Sequence, residues 1–469
     1  MNKKCEIGII GLGVMGQNLL LNMLDKGFTV TGYDTNAEQV HLLNEVSQKQ
    51  IHTTTDIQEF IATLAQPRAI MLLVPAGEAV DFVIQQISPY LQSGDLIIDA
   101  GNSYFKDTDI RIAGLAKQGI QFMGIGISGG EEGARHGPSI MPGGSKTAYD
   151  RIAPILQAIA AKINNEPCEA YLGPGSAGHF VKMVHNGIEY GVMQLIAETY
   201  DLMKRGLHFE DNQIRDVYSN WNTGPLKSYL IEITSEIFEK TDEQTGKRLI
   251  NEIVDIARQN GTGRWTSQSA MELQVPTPTI DIALAMRDLS VLKKERKQAQ
   301  EKYKRILKST HIDPILSTTQ LGHALYAAIL ITYAQGMALL KVASDHYQYE
   351  LTLETVARLW RGGCIIRATL LDDISNAFHT NETLSNLLLD PDLSQKLMKN
   401  QKDLRYIVCQ SATLGIPIPG LMASLSYLDS YRSVNLPANL IQAQRDYFGA
   451  HCYEKKEMNG TFHTKWREK

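Results

Sequence analysis

Several protein classes are excluded by what this chain has little of. Its 469 residues hold five cysteines, Cys5, Cys168, Cys364, Cys409 and Cys452, an odd number with no C-x-x-C spacing. That pattern gives neither a disulfide framework nor a structural zinc site, and a reducing, cytoplasmic location is expected. Charge of one sign is not in excess. The 46 basic and 51 acidic residues leave a formal net charge of −5, too mild to make nucleic acid or an anionic membrane the main partner. No apolar run is expected to be long enough to span a bilayer. The start, MNKKCEIGIIGLGVMG, is apolar but broken by glycines and carries no small-residue cleavage pattern, so it is not read as a signal peptide. What remains is an ordinary globular composition, 43% hydrophobic and 21% charged, on a chain too long for one core. Two or three domains are expected.

Residues 1–130 alternate short β-rich runs (CEIGIIG, FTVTGYD, AIMLLVP, DLIIDAG, IQFMGIG) with segments of helical spacing such as NLLLNMLDKG and EAVDFVIQQISPYL. Nearly continuous apolar strands between helices predict a parallel sheet covered on both faces. LGPGSAG, residues 172–178, breaks the pattern, and from there to about residue 434 the periodicity is helical with almost no strand signal. The stretch from Asn435 is polar and aromatic and predicts an extended tail with a short helix near LIQAQRDYF. The helical part also carries a weak internal repeat. GHFVKMVHNGIEYGVM (178–193) overlays GHALYAAILITYAQGM (322–337) without a gap, each followed some way on by W-x-x-G, at Trp221 and Trp360.

GLGVMG (Gly11, Leu12, Gly13, Val14, Met15, Gly16) follows a predicted strand and opens a predicted helix. In that context Gly11 and Gly13 let backbone approach a pyrophosphate, and Gly16 lets helix and strand pack closely. The helix N-terminus then offers free N–H groups to the phosphates. The second strand ends at Asp34-Thr35-Asn36, 18 residues after Gly16 at its carboxylate. An acidic residue there suits the adenosine ribose hydroxyls and repels a 2′-phosphate. NAD is therefore expected, with NADP as the alternative; a solvated loop carboxylate is the bland reading of Asp34.

KMVHNGIEY, residues 182–190, sets Lys182, His185, Asn186 and Glu189 at i, i+3, i+4 and i+7 inside an otherwise apolar run. On a helix these share one face. The overlaid second copy has Tyr326, Ile329, Leu330 and Tyr333 there, so the scaffold accepts an apolar stripe and the polar one needs another reason. An acid and a base for one reaction need rigid mutual placement, which one helix face provides. A lysine acts as a base near neutral pH only if burial or charge lowers its pKa from about 10.4. Read from these residues alone, a solvated face or an internal salt bridge remains an equal alternative. IIDAGNS places Asn102 at the carboxyl end of a strand, and Ser128-Gly129-Gly130 lie in a glycine-dense stretch able to offer N–H groups to a carboxylate. That stretch taken alone reads as a connector.

With these motifs the chain resembles the decarboxylating 6-phosphogluconate dehydrogenases over its full length. GLGVMGQNL, MLLVPAGEAVD, IIDAGNS, GISGGEEGARHGPSIMPGG, KMVHNGIEYG, GTGRW and QAQRDYFGAH carry the resemblance, in the family order. It implies an N-terminal α/β Rossmann domain (1–176), a large all-α domain (177–434) for substrate and dimerisation, and an extended C-terminal tail (435–469) that reaches the active site of the partner in a homodimer. It implies oxidative decarboxylation of 6-phospho-D-gluconate to D-ribulose 5-phosphate in the pentose phosphate pathway, with Lys182 as general base and Glu189 as the acid. Asn102, Ser128, Gly129, Gly130, His185 and Asn186 are the implied substrate contacts. Tyr190, the position of Asn260, Thr262, Arg287 and the tail's Arg445 are implied at the phosphate, and His451 as a further contact. Val74, Pro75, Ala76 and Asn102 join the glycine loop and Asp34, Thr35 and Asn36 around the cofactor. No metal is implied, because a protonated lysine supplies the polarisation.

Three positions depart from the family pattern. Asp34-Thr35-Asn36 replaces the usual Asn-Arg-Thr grip on a 2′-phosphate. Asn260 stands where the family has a phosphate-binding lysine. Pro75 replaces a frequent lysine beside the cofactor. Two alternatives to the family activity are a sister β-hydroxyacid dehydrogenase acting on another aldonate, for which Asn260 alone speaks, and a non-catalytic dinucleotide-binding protein, which the presence of Lys182, Asn186 and Glu189 disfavours.

Overall fold

Seven strands make one sheet in the order β3-β2-β1-β4-β5-β6-β7. They span Ile7–Ile10 (β1), Val30–Tyr33 (β2), His52–Thr54 (β3), Ala69–Leu72 (β4), Leu96–Asp99 (β5), Gln121–Ser128 (β6) and Ser139–Gly144 (β7). The structure is a computed structural model and describes residues 4–48, 50–259, 261–303 and 317–467. β1 to β6 run parallel, and β1, β2, β4 and β5 are buried along their whole length, which is why they read as unbroken apolar runs rather than alternating ones. β7 corrects the expectation of a purely parallel sheet. SIMPGG reads as connector by composition, yet it pairs antiparallel with β6, Ser128 opposite Ser139 and Met123 opposite Gly144. β3 was also absent from the expected strands, since HTT is too short and polar to give an apolar signal.

The glycines of β6 and β7 have a packing purpose. The helix Ala177–Asp201 lies against this hairpin. A Cβ on Gly126 would stand 2.4 Å from Cβ of Lys182, and one on Gly143 would stand 2.2 Å from the Gly178 backbone nitrogen. His179 of the same helix bonds Thr108 of the helix Phe105–Ala116 at 2.7 Å. The first turns of the helix are thereby fixed to the Rossmann domain.

Beyond this junction the described residues are helical up to the tail. The overlaid copies are the helices Ala177–Asp201 and Thr318–Tyr347, which pack against each other. Gly191 faces Thr332 and Gly336 faces Ile188, and Tyr326, Ile329, Leu330 and Tyr333 are all buried. Thr318–Tyr347 also corrects the expectation that no membrane-length apolar run exists. It is 30 residues long with a mean hydropathy of 1.5 in its richest window, 83% of which is buried inside the molecule. A helix surrounded by Ala177–Asp201, Pro391–Leu414 and Pro419–Tyr431 has no polar face to keep.

The short helix expected near LIQAQRDYF is present and spans Ala438–Gly449. What the expectation of an otherwise extended tail missed is the hairpin of Tyr453–Lys455 and Met458–Phe462. Asp446, fully buried, holds both together: it accepts from the backbone N–H groups of Cys452 and Thr464 and from the Trp466 indole, and pairs with His463.

Candidate active site

Where β1 ends, Gly11 adopts φ +99°, and its carbonyl lies 1.9 Å from where a Cβ on Gly16 would stand. Only glycine serves at either position. The helix Val14–Asp25 begins here, and the space around Gly13 is open. A cleft of about 690 Å³ runs from Gly13, Val14, Met15 and Gly16 past Val74, Pro75 and Ala76 to Asn102, Asp107 and Ile127. An open cradle of backbone N–H groups ahead of a helix fits a dinucleotide pyrophosphate. At the adenosine end, Asp34 Oδ2 accepts from Leu12 N–H at 2.7 Å and Oδ1 from Asn36 N–H at 2.8 Å. Asn36 in turn caps the next helix through Glu38 N–H, and Thr35 is exposed. The carboxylate is thus fixed against the glycine loop.

The polar stripe lies on the helix Ala177–Asp201, against Gly126 and Ser128 of β6, the residues that flank Ile127 of the cleft, with Lys182, His185 and Asn186 buried and Glu189 largely so. Lys182 Nζ donates to Asn186 Oδ1 at 2.7 Å. The same oxygen takes His185 Nδ1 at 3.1 Å, while His185 Nε2 lies 3.2 Å from Ser128 Oγ. That partner set assigns the neutral tautomer with the proton on Nδ1, the Ser128 hydroxyl donating to Nε2. Glu189 Oε2 is 3.8 Å from His185 Nδ1. The Trp360 ring closes on His185 edge-on at 5.6 Å.

Burial governs the electrostatics. It lowers the pKa of Lys182, with the Glu189 charge opposing, and raises that of Glu189, with Lys182 and Arg287 opposing. Burial, then the Lys182 charge, pushes His185 well below the ordinary histidine range. Both shifts run toward the uncharged forms, which is the direction a lysine base and a carboxylic acid on one rigid helix face would need.

Tyr190, Thr262 and Arg287 come together on three helices. The Arg287 guanidinium, from Pro278–Val291, stacks 3.6 Å over the Tyr190 ring. Gly263 of Thr262–Glu272 packs on that ring so closely that a Cβ would stand 2.5 Å from it. Gly129, at φ +121°, abuts the carbonyl of Gly363, and Gly130 follows it into the short helix Gly130–His136. Asn260 lies outside the described residues. Arg445 bonds Gln442 and His451 rests against Phe448, so within a single chain these two residues make contacts inside the tail. Sequence reasoning missed Trp265, which lines the dinucleotide cleft from the helical side. It was visible in GTGRW, one turn after Thr262, but no residue chemistry there pointed at a cofactor.

Comparison with known proteins agrees with this geometry. The NAD-binding domain of 6-phosphogluconate dehydrogenase matches residues 6–172, and the C-terminal domain of 6-phosphogluconate dehydrogenase matches residues 178–466. An NADP(+)-dependent decarboxylating 6-phosphogluconate dehydrogenase of Bacillus subtilis is 47% identical over 99% of both chains. An NAD(+)-dependent one from the same organism is 46% identical over the same shares. The Plasmodium falciparum 6-phosphogluconate dehydrogenase, solved apo, with its cofactor NADP+ and with its substrate 6-phosphogluconate, superposes with a TM-score of 0.95 at 43% identity, covering 98% of this chain and 100% of that one. With both halves matched in order and a cleft and polar helix face to suit, this chain belongs to the 6-phosphogluconate dehydrogenase family.

Proposed function

We propose that this chain converts 6-phospho-D-gluconate to D-ribulose 5-phosphate and carbon dioxide, the decarboxylating step of the pentose phosphate pathway, using NAD in preference to NADP. The observation that carries the reading is the buried Lys182–Asn186–His185–Ser128 chain, with Glu189 beside it, reached from the dinucleotide cleft through Ile127, the neighbour of Ser128. A bound dinucleotide supplies the hydride acceptor. Neutral Lys182 takes the proton of the C3 hydroxyl as C3 is oxidised to a ketone, which leaves a β-keto acid. The protonated lysine then hydrogen-bonds the ketone oxygen. The bond from C2 to the carboxylate breaks, carbon dioxide leaves, and its electron pair forms an enediol whose oxygen takes the lysine's proton. Glu189 protonates the terminal carbon of the enediol while Lys182 recovers the hydroxyl proton. Ribulose 5-phosphate results. His185, Asn186, Ser128, Gly129, Gly130 and Asn102 orient the substrate, and Tyr190, Thr262 and Arg287 receive its phosphate; the Arg287 fork, stacked on Tyr190 and now bonded to the Arg258 carbonyl and Met193 Sδ, would exchange those long contacts for two phosphate oxygens. Arg445 and His451 complete the site from the tail of a second copy in a homodimer. Asp34 supports NAD, because a carboxylate held against the glycine loop repels a 2′-phosphate.

The test is kcat/KM for 6-phosphogluconate with NAD and with NADP, recording carbon dioxide. One carbon dioxide per dinucleotide reduced, with NAD favoured, is expected. A preference for NADP overturns the role of Asp34. Turnover of gluconate but not of its 6-phosphate overturns the substrate and favours the sister dehydrogenase that Asn260 suggests.

A further inference from the structure

Among the described residues, those lining the dinucleotide cleft lie between Gly13 and Ile127, in the Rossmann domain, with one exception, Trp265. The exception belongs to the helix Thr262–Glu272, which opens at Gly261 in the left-handed conformation (φ +97°). Trp265 stacks on Tyr104, ring centroids 4.9 Å apart and planes 28° apart. Tyr104 follows Asn102 by two residues and immediately precedes the helix Phe105–Ala116. Seven residues beyond Trp265, on the same helix face, Glu272 bonds Lys106 at 2.7 Å. Tyr104 and Lys106 thus meet Trp265 and Glu272 across the junction of the Rossmann and helical parts, at the edge of the cleft. The ion pair is half exposed on both sides and holds weakly; the ring stack, with Tyr104 and Trp265 both packed against the buried core, is the stronger bond between the two sides.

The position of this stack fixes which half of a dinucleotide it meets. Asp34 and the glycine loop occupy the adenosine and pyrophosphate end. Asn102 and Ile127 lie at the far end, where β6 carries Gly126 against Lys182 and Ser128 against His185. Trp265 therefore faces the nicotinamide and its ribose. On the same helix Thr262 is buried and its neighbour Gly263 packs on Tyr190, at the end assigned to the phosphate, three residues and one turn from Trp265.

We propose that Trp265, held by Tyr104, is the helical domain's wall for the nicotinamide half of the cofactor, and that the helix Thr262–Glu272 ties its seating to the phosphate of the substrate. The first part rests on the cleft alone; the coupling rests on the phosphate assignment above. An aromatic face suits a flat nicotinamide or the apolar side of its ribose. A rigid helix with phosphate contacts at its first turn and the ring one turn on makes ordering of either end favour the other.

The test uses the full-length protein and whichever dinucleotide the wild type turns over, with Trp265→Ala and Trp265→Phe. Binding of the reduced dinucleotide alone, followed by its own fluorescence, is expected to weaken at least tenfold in the alanine variant and to recover most of that loss in the phenylalanine variant, with far-ultraviolet circular dichroism unchanged in the latter. In the presence of 6-phosphogluconate, the wild type is expected to bind dinucleotide more tightly than without it, and Trp265→Ala to lose that gain. Dinucleotide affinity within twofold of wild type in the alanine variant overturns the wall, as does a phenylalanine variant no better than alanine. Normal loss of affinity with the substrate-dependent gain intact overturns the coupling. Because the first measurement contains no substrate, an error in the substrate reading leaves it unaffected.

Discussion

Lys182 is flanked in sequence by the buried Phe180, Val181, Met183 and Val184 and is itself buried, and in the proposed mechanism that burial is what lets it act as a base. Its pKa is lowered in the folded state. The unfolded chain therefore binds a proton that the folded one resists, and stability rises with pH through the interval between the two values. Lys182→Met removes that cost, so at neutral pH the variant is predicted to melt at or above wild type by calorimetry while kcat falls about 100- to 10,000-fold. Glu189 is shifted the other way, up, by its own burial. It stays protonated to higher pH than an ordinary carboxyl, and activity is lost as pH rises through the pair's upper apparent value. Glu189→Gln is predicted to lower kcat about 100-fold and to remove that alkaline limb from the pH profile; a limb that stays belongs to another group. Asp34→Asn with Thr35→Arg is predicted to move the ratio of kcat/KM for NAD over NADP toward NADP by about 100-fold, since it replaces a repelling carboxylate with a guanidinium able to hold a 2′-phosphate bidentately. An unchanged ratio places discrimination elsewhere.

The helix Ala177–Asp201 depends on what lies beneath it. Gly126 brings β6 into contact with the Lys182 Cβ, and neither strand nor helix backbone can retreat. Gly126→Ala is predicted to cost about 1–3 kcal/mol in a urea melt, as overpacked cores do, and to lower kcat well beyond what the stability loss alone explains. Wild-type kcat contradicts that close fit. This junction also shows where sequence was readable and where it was not. The runs CEIGIIG, FTVTGYD, AIMLLVP, DLIIDAG and IQFMGIG were legible as strands because parallel strands buried on both faces must be apolar throughout. SIMPGG was not, because its glycines answer to a helix packed on the strand, a tertiary demand with no local periodicity. The stripe of Lys182, His185, Asn186 and Glu189 was legible as one face. Its meaning needed motifs elsewhere in the chain, since an i, i+3, i+4, i+7 pattern of polar residues is equally a solvated surface. Trp265 was invisible as a cofactor wall because its partner, Tyr104, lies 161 positions away in the sequence.

Across the whole molecule the proposed site draws on distant parts of the chain. In that reading the Rossmann domain supplies the cofactor cleft, the helical domain the acid, the base and the phosphate pocket. The tail carries exposed Leu440, Ile441, Tyr447 and Phe448 on its helix, a large apolar surface for a free segment and one suited to a second copy. If Arg445 serves the partner's site, a chain lacking Lys182 and a chain lacking Arg445 each form inactive homodimers but can repair one another. The most direct measurement is therefore carbon dioxide release from 6-phosphogluconate by Lys182→Met and Arg445→Ala, each alone and after being unfolded and refolded together in equal amounts. Each alone is predicted to be nearly inactive, and the mixture to recover about a quarter of wild-type activity, because half the symmetric dimers are hybrids with one intact site. Substantial activity in Lys182→Met alone, or a refolded mixture no more active than its components, would contradict the account.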